Sequence, residues 1–298
     1  MKIYSPLRYP GGKNKLADFI AKICVENKVD GHYIEPYAGG ASVALFLLFN
    51  NIVNRITIND SDRSIYAFWY SVLNYTDKLC NLIKKTDVTI ANWLIQRDIQ
   101  KNKKTVDLLT LGFSTLFLNR TNISGILNGG VMGGLEQKGL YKIDCRFNKK
   151  EIVSRIQNIS KKKNHIRLYK KDALKLIEKI QKDSARRDTI FYFDPPYFIK
   201  GSSLYMNYYK KDDHLAVCDK IKEITNVHWI VSYDNVKEIK KLFSTYRSKE
   251  YTFKHTAHSS KIGKEILFFS NDLRITNPQS YNPINYKMIS QSNIIYTG

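Results

Sequence analysis

Asp194-Pro195-Pro196-Tyr197 is the segment of this chain best equipped for chemistry. It follows the apolar run Ile190-Phe191-Tyr192-Phe193, which reads as a buried strand. Two prolines after the acid fix the backbone and remove two N–H donors. What remains is a carboxylate, a backbone carbonyl and an aromatic ring at a strand's end. A planar amino group needs that set: acceptors for its N–H bonds and a ring to stack on. A proline-stiffened turn is the plain alternative, and the strand in front of it argues for more than a turn.

Two further segments carry weaker signals. Glu35-Pro36-Tyr37-Ala38-Gly39-Gly40 closes a second strand-like stretch. Its glycines let a ligand approach the backbone, and a following helix offers unpaired N–H groups. Asp60 closes the next strand, where an acid accepts hydrogen bonds from the ribose hydroxyls of an adenosine-containing cofactor. An ordinary helix cap is the alternative for Asp60. In Arg8-Tyr9-Pro10-Gly11-Gly12-Lys13 a phosphate loop fails, because Leu7 and Asn14 stand where Gly and Ser or Thr are required. Lys13 beside two glycines can still meet a carboxylate, such as the amino-acid end of a cofactor.

The elements that must position these groups can be read from periodicity. Residues 14–27 have helical spacing, 32–40 a strand running into the glycine turn, and 55–60 a second strand. This is the opening of a doubly wound α/β sheet. Residues 63 to about 100, and 107–119, are helical. The glycines between Gly125 and Gly139 suit a hairpin or extended loop near 121–146. Strands return at 165–172, 189–197, 227–235, 250–258 and 264–272. The expected organisation is a discontinuous α/β domain, 1–62 and 161–272, interrupted by a mainly helical insertion at 63–160. Residues 273–298 lack periodicity and read as a loosely attached tail.

The 48 Lys and Arg residues against 27 Asp and Glu give a net charge of +21. Such a surface attracts polyanions, nucleic acid first; a generally Lys-rich proteome is the plain alternative. No apolar run reaches the ~18 residues of a membrane helix, and the N-terminus has no secretory pattern, so a cytoplasmic location is expected. Cys24, Cys80, Cys145 and Cys218 are scattered, which suggests neither a disulfide framework nor a metal site.

Taken together, the segments from about Pro6 to Phe269 resemble the Dam-type DNA adenine-N6 methyltransferases, the alpha-group, D12 class. Arg8 to Lys13 is similar to the family's first cofactor motif, Glu35 to Val43 to its glycine motif, and Asp194 to Tyr197 to its DPPY motif. Leu118-Asn119-Arg120 followed by Gly125 resembles the entry to its DNA-reading hairpin. The resemblance implies a Rossmann-like S-adenosylmethionine-dependent methyltransferase sheet with an inserted, mainly helical target-recognition domain. It implies cofactor contacts from Tyr9, Lys13, Glu35, Gly39, Asp60, Asp172 and Asp194, and catalysis by Asp194, Pro195 and Tyr197, with no metal. Tyr197 would stack on a flipped-out adenine. Arg120, Asn122, Ile123 and Ser124 are the expected contacts to double-stranded DNA. A companion restriction endonuclease is a partner such enzymes can have. Gly39-Gly40-Ala41 departs from the family's G-x-G, and Asn128 to Gly134 departs from its basic, aromatic hairpin. Transfer to RNA or a protein amide, and a non-catalytic DNA-binding relative, are the alternatives.

Overall fold

Short runs of branched and aromatic residues, too brief for helices, build the sheet. The computed structural model describes residues 2–8, 13–183, 188–198, 209–254, 262–276 and 282–287. Its strands are β1 (His32–Glu35), β2 (Arg55–Asn59), β3 (Ile166–Tyr169), β4 (Thr189–Phe193), β5 (His228–Asp234), β6 (Arg247–Lys254) and β7 (Ile262–Phe269). They form one sheet in the order β3-β2-β1-β4-β5-β7-β6. The first five are parallel; β7 runs antiparallel to both β5 and β6. The chain winds outward from β1 through β2 to β3, then returns to β4 on β1's other side. That reversal opens a crevice at the carboxyl ends of β1 and β4.

Alternation along the strands divides the core in two. Ile190 and Tyr192 of β4 face one cluster, whereas Phe191 and Phe193 face the other. The first cluster holds α1 (Ala17–Glu26) and α2 (Ser42–Phe49). It extends without a break into α3 (Arg63–Asn74), α4 (Thr76–Lys85), α6 (Leu108–Thr121) and α7 (Lys149–Lys161), which with α5 (Ile90–Lys101) link β2 to β3. The second is covered by α8 (Ala173–Asp183), α9 (Lys211–Lys222) and α10 (Lys237–Leu242). None of the described helices is long and apolar enough to cross a membrane.

Boundaries follow local chemistry. The stretch read as helical from Arg63 to Gln100 divides into three helices. Asp62 caps α3 through Ser64 N at 2.6 Å, and Thr89 caps α5 through Asn92 N. In place of a two-stranded hairpin, residues 121–146 form a looped segment with one isolated antiparallel bridge, Asn122 to Val131. Gly125, Gly133 and Gly134 take positive φ there, and such turns break a ladder. The first residues beyond Asp272 are not loose. Leu273 is buried, Arg274 N donates to Asn27 Oδ1 at 2.7 Å, and Thr276 bonds Glu26. Asn282 donates to the Thr252 carbonyl. An extended strap held by tertiary contacts has no period to read.

Gly112 lets α3 and α6 meet. A Cβ there would lie 2.6 Å from the Ala67 carbonyl and 2.5 Å from Ser71 Oγ. Gly112→Ala should gain ~1 kcal/mol of helix propensity and lose more to overpacking, for a net destabilisation of about 1–2 kcal/mol. A urea midpoint that stays level or rises would refute this.

Candidate active site

Three acids of the site stand at the carboxyl ends of parallel strands, where the sheet reverses its winding. Glu35 ends β1, Asp60 follows β2, and Asp194 follows β4. They border a cavity of about 300 Å³ whose wall also includes Lys13, Gly39 and Pro196. The turn after β1 is held from several sides. Gly39 N donates to Asp60 Oδ2 at 3.0 Å, and the Gly39 carbonyl accepts from Trp69 Nε1 at 2.9 Å. Asn59 donates to the Pro36 and Lys171 carbonyls, tying the ends of three strands together. Gly39 has φ 45°, which glycine adopts freely. Ala41, with φ 46°, takes a left-handed position without that freedom, at a cost of roughly 1–2 kcal/mol. No side chain caps α2; Ala44 N is bound by Glu35 Oε1 at 3.1 Å.

The site is acidic within and carries one buried ammonium. Lys13 Nζ lies 2.8 Å from Glu265 Oε1 and 3.3 Å from Asp194 Oδ1. Against the desolvation that burial imposes, Asp194 and Glu265 hold the Lys13 ammonium well above its ordinary range. Burial pushes Asp194 up to about 7; Lys13 opposes the rise and the Glu265 charge adds to it. Burial likewise raises Glu35 to about 8, against hydrogen bonds from Tyr33 and Ala44, with the Asp194 charge adding to the rise. Asp60 is raised to about 7, mainly by burial, although Asp62 N and Gly39 N bond its carboxylate. Such a pocket favours a ligand that brings positive charge or N–H donors.

Of the residues singled out in the sequence, Lys13, Glu35, Gly39, Asp60 and Asp194 meet at this cavity. Tyr9 lies outside the described residues. Asp172 is exposed and caps α8, accepting from Leu174 N at 2.9 Å. Tyr197 is turned inward, 6% exposed, its hydroxyl between Lys13 and Glu265. Ile123 is 44% exposed, and Ser124 sits beside it with φ 57°.

Arg120 and Asn122 depart from the expectation of surface contacts. Arg120 is buried; its Nε donates to the Pro6 carbonyl at 2.7 Å and a terminal nitrogen to the Arg146 carbonyl. Asn122 is fully buried, accepting from Trp93 Nε1 and donating to the Ile126 and Leu127 carbonyls. Both direct their N–H donors to the chain's own backbone, and Asn122 holds the glycine-rich segment at Ile126 and Leu127.

Glu265, Tyr251, Trp69 and Asn119 are site-forming residues that the sequence reasoning did not assign. One signal existed for Glu265: it is an acid at the start of the apolar run Ile266 to Phe269, where a charge must find a partner.

The strand order, the antiparallel β7 and the acidic cavity at the reversal are those of a Rossmann-like methyltransferase domain. The model of the D12 class N6 adenine-specific DNA methyltransferases matches residues 9–258, and the chain belongs to that family. It is similar to the Type II methyltransferase M.MjaIII of Methanocaldococcus jannaschii, with 23% identity over 227 residues, covering 71% of this chain and 75% of the relative. Among solved structures, an uncharacterized protein from Listeria monocytogenes serotype 4b aligns over 87% of this chain and 70% of its own. The identity is 9% and the TM-score 0.36, a likeness too slight to bear on fold or function. The activity of this family, and of this chain within it, is DNA adenine methylation.

Asn119 joins the first segment to the glycine-rich one. Its Oδ1 accepts from Arg8 N at 2.7 Å, and its Nδ2 donates to the Arg8 and Gly125 carbonyls at 2.8 and 2.9 Å. Asn119→Ala should destabilise the fold by about 1–3 kcal/mol, since it strands partly buried backbone groups. Urea unfolding measures it; a loss under ~0.5 kcal/mol would mean that water replaces the clamp.

Proposed function

We propose that the chain transfers a methyl group from S-adenosylmethionine to N6 of an adenine turned out of double-stranded DNA. Asp194 and the Pro195 carbonyl accept the hydrogens of the amine. The observation that carries this reading is the place of Asp194, on the cavity wall with Gly39 and 3.3 Å from Lys13.

When bound, S-adenosylmethionine supplies a methyl carbon made electrophilic by its sulfonium. Lys13, Glu35, Gly39, Asp60 and Asp194 would hold it, joined by Tyr9 and Asp172 as the family resemblance implies. The charge of the cavity supports this choice, since the acids Glu35, Asp60, Asp62 and Asp194 on its wall outnumber the cations Arg8 and Lys13 and suit a cationic donor. Its volume stands at the lower end of the ~300–1,000 Å³ usual for ligand sites.

Adenine N6 is a weak nucleophile because its lone pair is spread into the ring. Two acceptors on its N–H groups favour a pyramidal nitrogen and stabilise the charge that develops there. Electrostatic support of this type is worth on the order of 3–4 kcal/mol, or ~10²–10³ in rate. Asp194 therefore orients and stabilises, and the nitrogen's proton can leave to water.

An adenine inside a duplex cannot reach the cavity, so it is flipped out at a few kcal/mol. Stacking on Tyr197 would return ~1–3 kcal/mol. With the ring 6% exposed, that stacking requires the corner to open as the base enters. Exposed Ile123 is suited to a wedge at the emptied position, with Ser124 beside it. The same reading has the protein working in the cytoplasm, as a solitary methylase or beside a companion restriction endonuclease.

Asp194→Ala should lower methyl transfer at least ~100-fold and change nonspecific duplex affinity less than ~2-fold. Labelled-methyl transfer and filter binding read the two; equal loss of both would give the residue another role. In the native protein the transfer rate should rise with pH through about 7, as Asp194 ionises. Stability moves the opposite way. The folded carboxyl is raised above its ordinary 3.8, so its contribution is present below that value and lost as pH climbs through about 7.

A further inference from the structure

Glu265 stands among donors. Oε1 accepts from Lys13 at 2.8 Å and from the Tyr197 hydroxyl; Oε2 accepts from the Tyr251 hydroxyl. The Tyr251 hydroxyl is held protonated by burial and by the Glu265 charge, so it donates. Asp194 is treated differently. Its Oδ1 is buried and has no hydrogen bond beyond the looser 3.3 Å ion pair with Lys13. One ammonium thus lies between the buried Glu265 carboxylate and the partly exposed Asp194 carboxylate and can neutralise only one. Its position favours the carboxylate farther along the chain, on β7, away from the DPPY corner.

We propose that Glu265 is a positioning residue for methyl transfer: as the principal counter-ion of Lys13, it keeps that ammonium from closing on Asp194 and so leaves the Asp194 carboxylate free for the substrate amine. This rests on the reading of Asp194 as the amine's acceptor. Without the charge at 265, Lys13 has one carboxylate left to pair with. It would move onto Asp194, lower its proton affinity and take up the lone pairs that the amine requires. Tyr197 would lose the anion that orients its hydroxyl, yet the donors and packing of the corner would stay. Tyr251 joins by fixing the second oxygen of Glu265, which keeps the first directed at Lys13.

The effect has a sign that a merely structural role lacks. The titratable groups that act on Asp194 or Lys13 are Glu35 from β1, Tyr192 from β4, Tyr197 from the corner, Tyr251 from β6 and Glu265 from β7. Replacing Glu265 by its neutral isostere deletes one negative charge from that set and alters no other. The carboxylate of Asp194 then ionises more easily, and the acidic limb of the rate profile moves to lower pH.

The experiment compares single-turnover methyl transfer by the full chain, from pH 5 to 9, for the native protein, Glu265→Gln, Glu265→Asp and Asp194→Ala. In Glu265→Gln the plateau rate should fall about 10- to 100-fold and the limb should move down by about one pH unit. Nonspecific duplex binding and the KM for S-adenosylmethionine should change less than about 3-fold. Glu265→Asp, which keeps the charge, should hold the limb within about 0.3 units of the native position whatever its rate. A native rate in Glu265→Gln, or a lowered rate with an unmoved limb, overturns the proposal, as does an equal displacement in Gln and Asp variants. If Glu265→Gln fails to fold by circular dichroism, Tyr251→Phe decides. It leaves the Glu265 charge less compensated, so the limb should rise by a few tenths of a unit, and a limb that stays or falls overturns the proposal. Asp194→Ala separates the two readings: if that variant keeps its activity, the acceptor role has failed; if it is inactive while Glu265→Gln is native-like, only the inference about Glu265 has failed.

Discussion

Between β1 and β4 the sheet changes its direction of winding, and no helix can cover the carboxyl ends of both strands at once. Every functional feature of the molecule follows from that geometric gap. Glu35 and Asp194 end neighbouring strands, and Asp60 follows the next one out, so three acids arrive together because three parallel strands stop at one level. The turn after β1 has to fold back tightly over the opening. Hence Gly39 and Ala41 take left-handed conformations, and Asp60 and Trp69 bond the Gly39 backbone from opposite sides. The strain at Ala41 persists because it is fully enclosed, at 1% exposure, by the packing of α2.

The same gap decides the electrostatics, which have opposite signs at long and short range. The chain as a whole carries +21, and that charge is felt by a polyanion within a Debye length of about 8–10 Å. Inside the cavity the balance is reversed: Glu35, Asp60, Asp62 and Asp194 on its wall outnumber Arg8 and Lys13, Glu265 pairs with Lys13, and burial raises Glu35, Asp60 and Asp194 toward neutrality. A duplex is therefore drawn to the surface, while the interior favours groups that donate hydrogen bonds or bring positive charge. Of the described basic residues, Arg8 and Lys13 line the cavity, and the desolvation of Lys13 is offset by two carboxylates and the Tyr197 ring, 5.1 Å from its Nζ.

How much of this was legible follows from how local each feature is. The strands were readable because Ile190 to Phe193 and its counterparts are continuous apolar runs, and their ends located Glu35, Asp60 and Asp194. Lys13 was readable from the two glycines before it. Its partner Glu265 was not, because 252 positions separate them and only the antiparallel insertion of β7 brings them together. Arg120 was misread for a related reason. An Arg at a helix C-terminus looks the same in sequence whether it faces water or, as here, the Pro6 and Arg146 carbonyls. The glycines from Gly125 to Gly139 suggested a hairpin or an extended loop, and the structure has a looped segment with one bridge and positive φ at Gly125, Gly133 and Gly134. The described residues beyond Asp272 gave no periodic signal, since scattered apolar residues such as Leu273 and Ile275 and bonds to Asn27 and Glu26 hold them without a regular spacing.

The glycine-rich segment is not independent of the pocket it flanks. Gly125, Ile126 and Leu127 stand on the cavity wall, and the Asn119 side chain joins Gly125 to Arg8 just ahead of Lys13. Gly125 itself admits no side chain, for a Cβ would lie 2.2 Å from the Arg8 carbonyl. Asn122 completes the fixture by holding the Ile126 and Leu127 carbonyls from below. The backbone that follows exposed Ile123 is thus bonded by Asn119 and Asn122 up to the wall of the cavity. Arg120, Asn119 and Asn122, all buried, bond the backbone on which the surface loop and the cavity wall both stand.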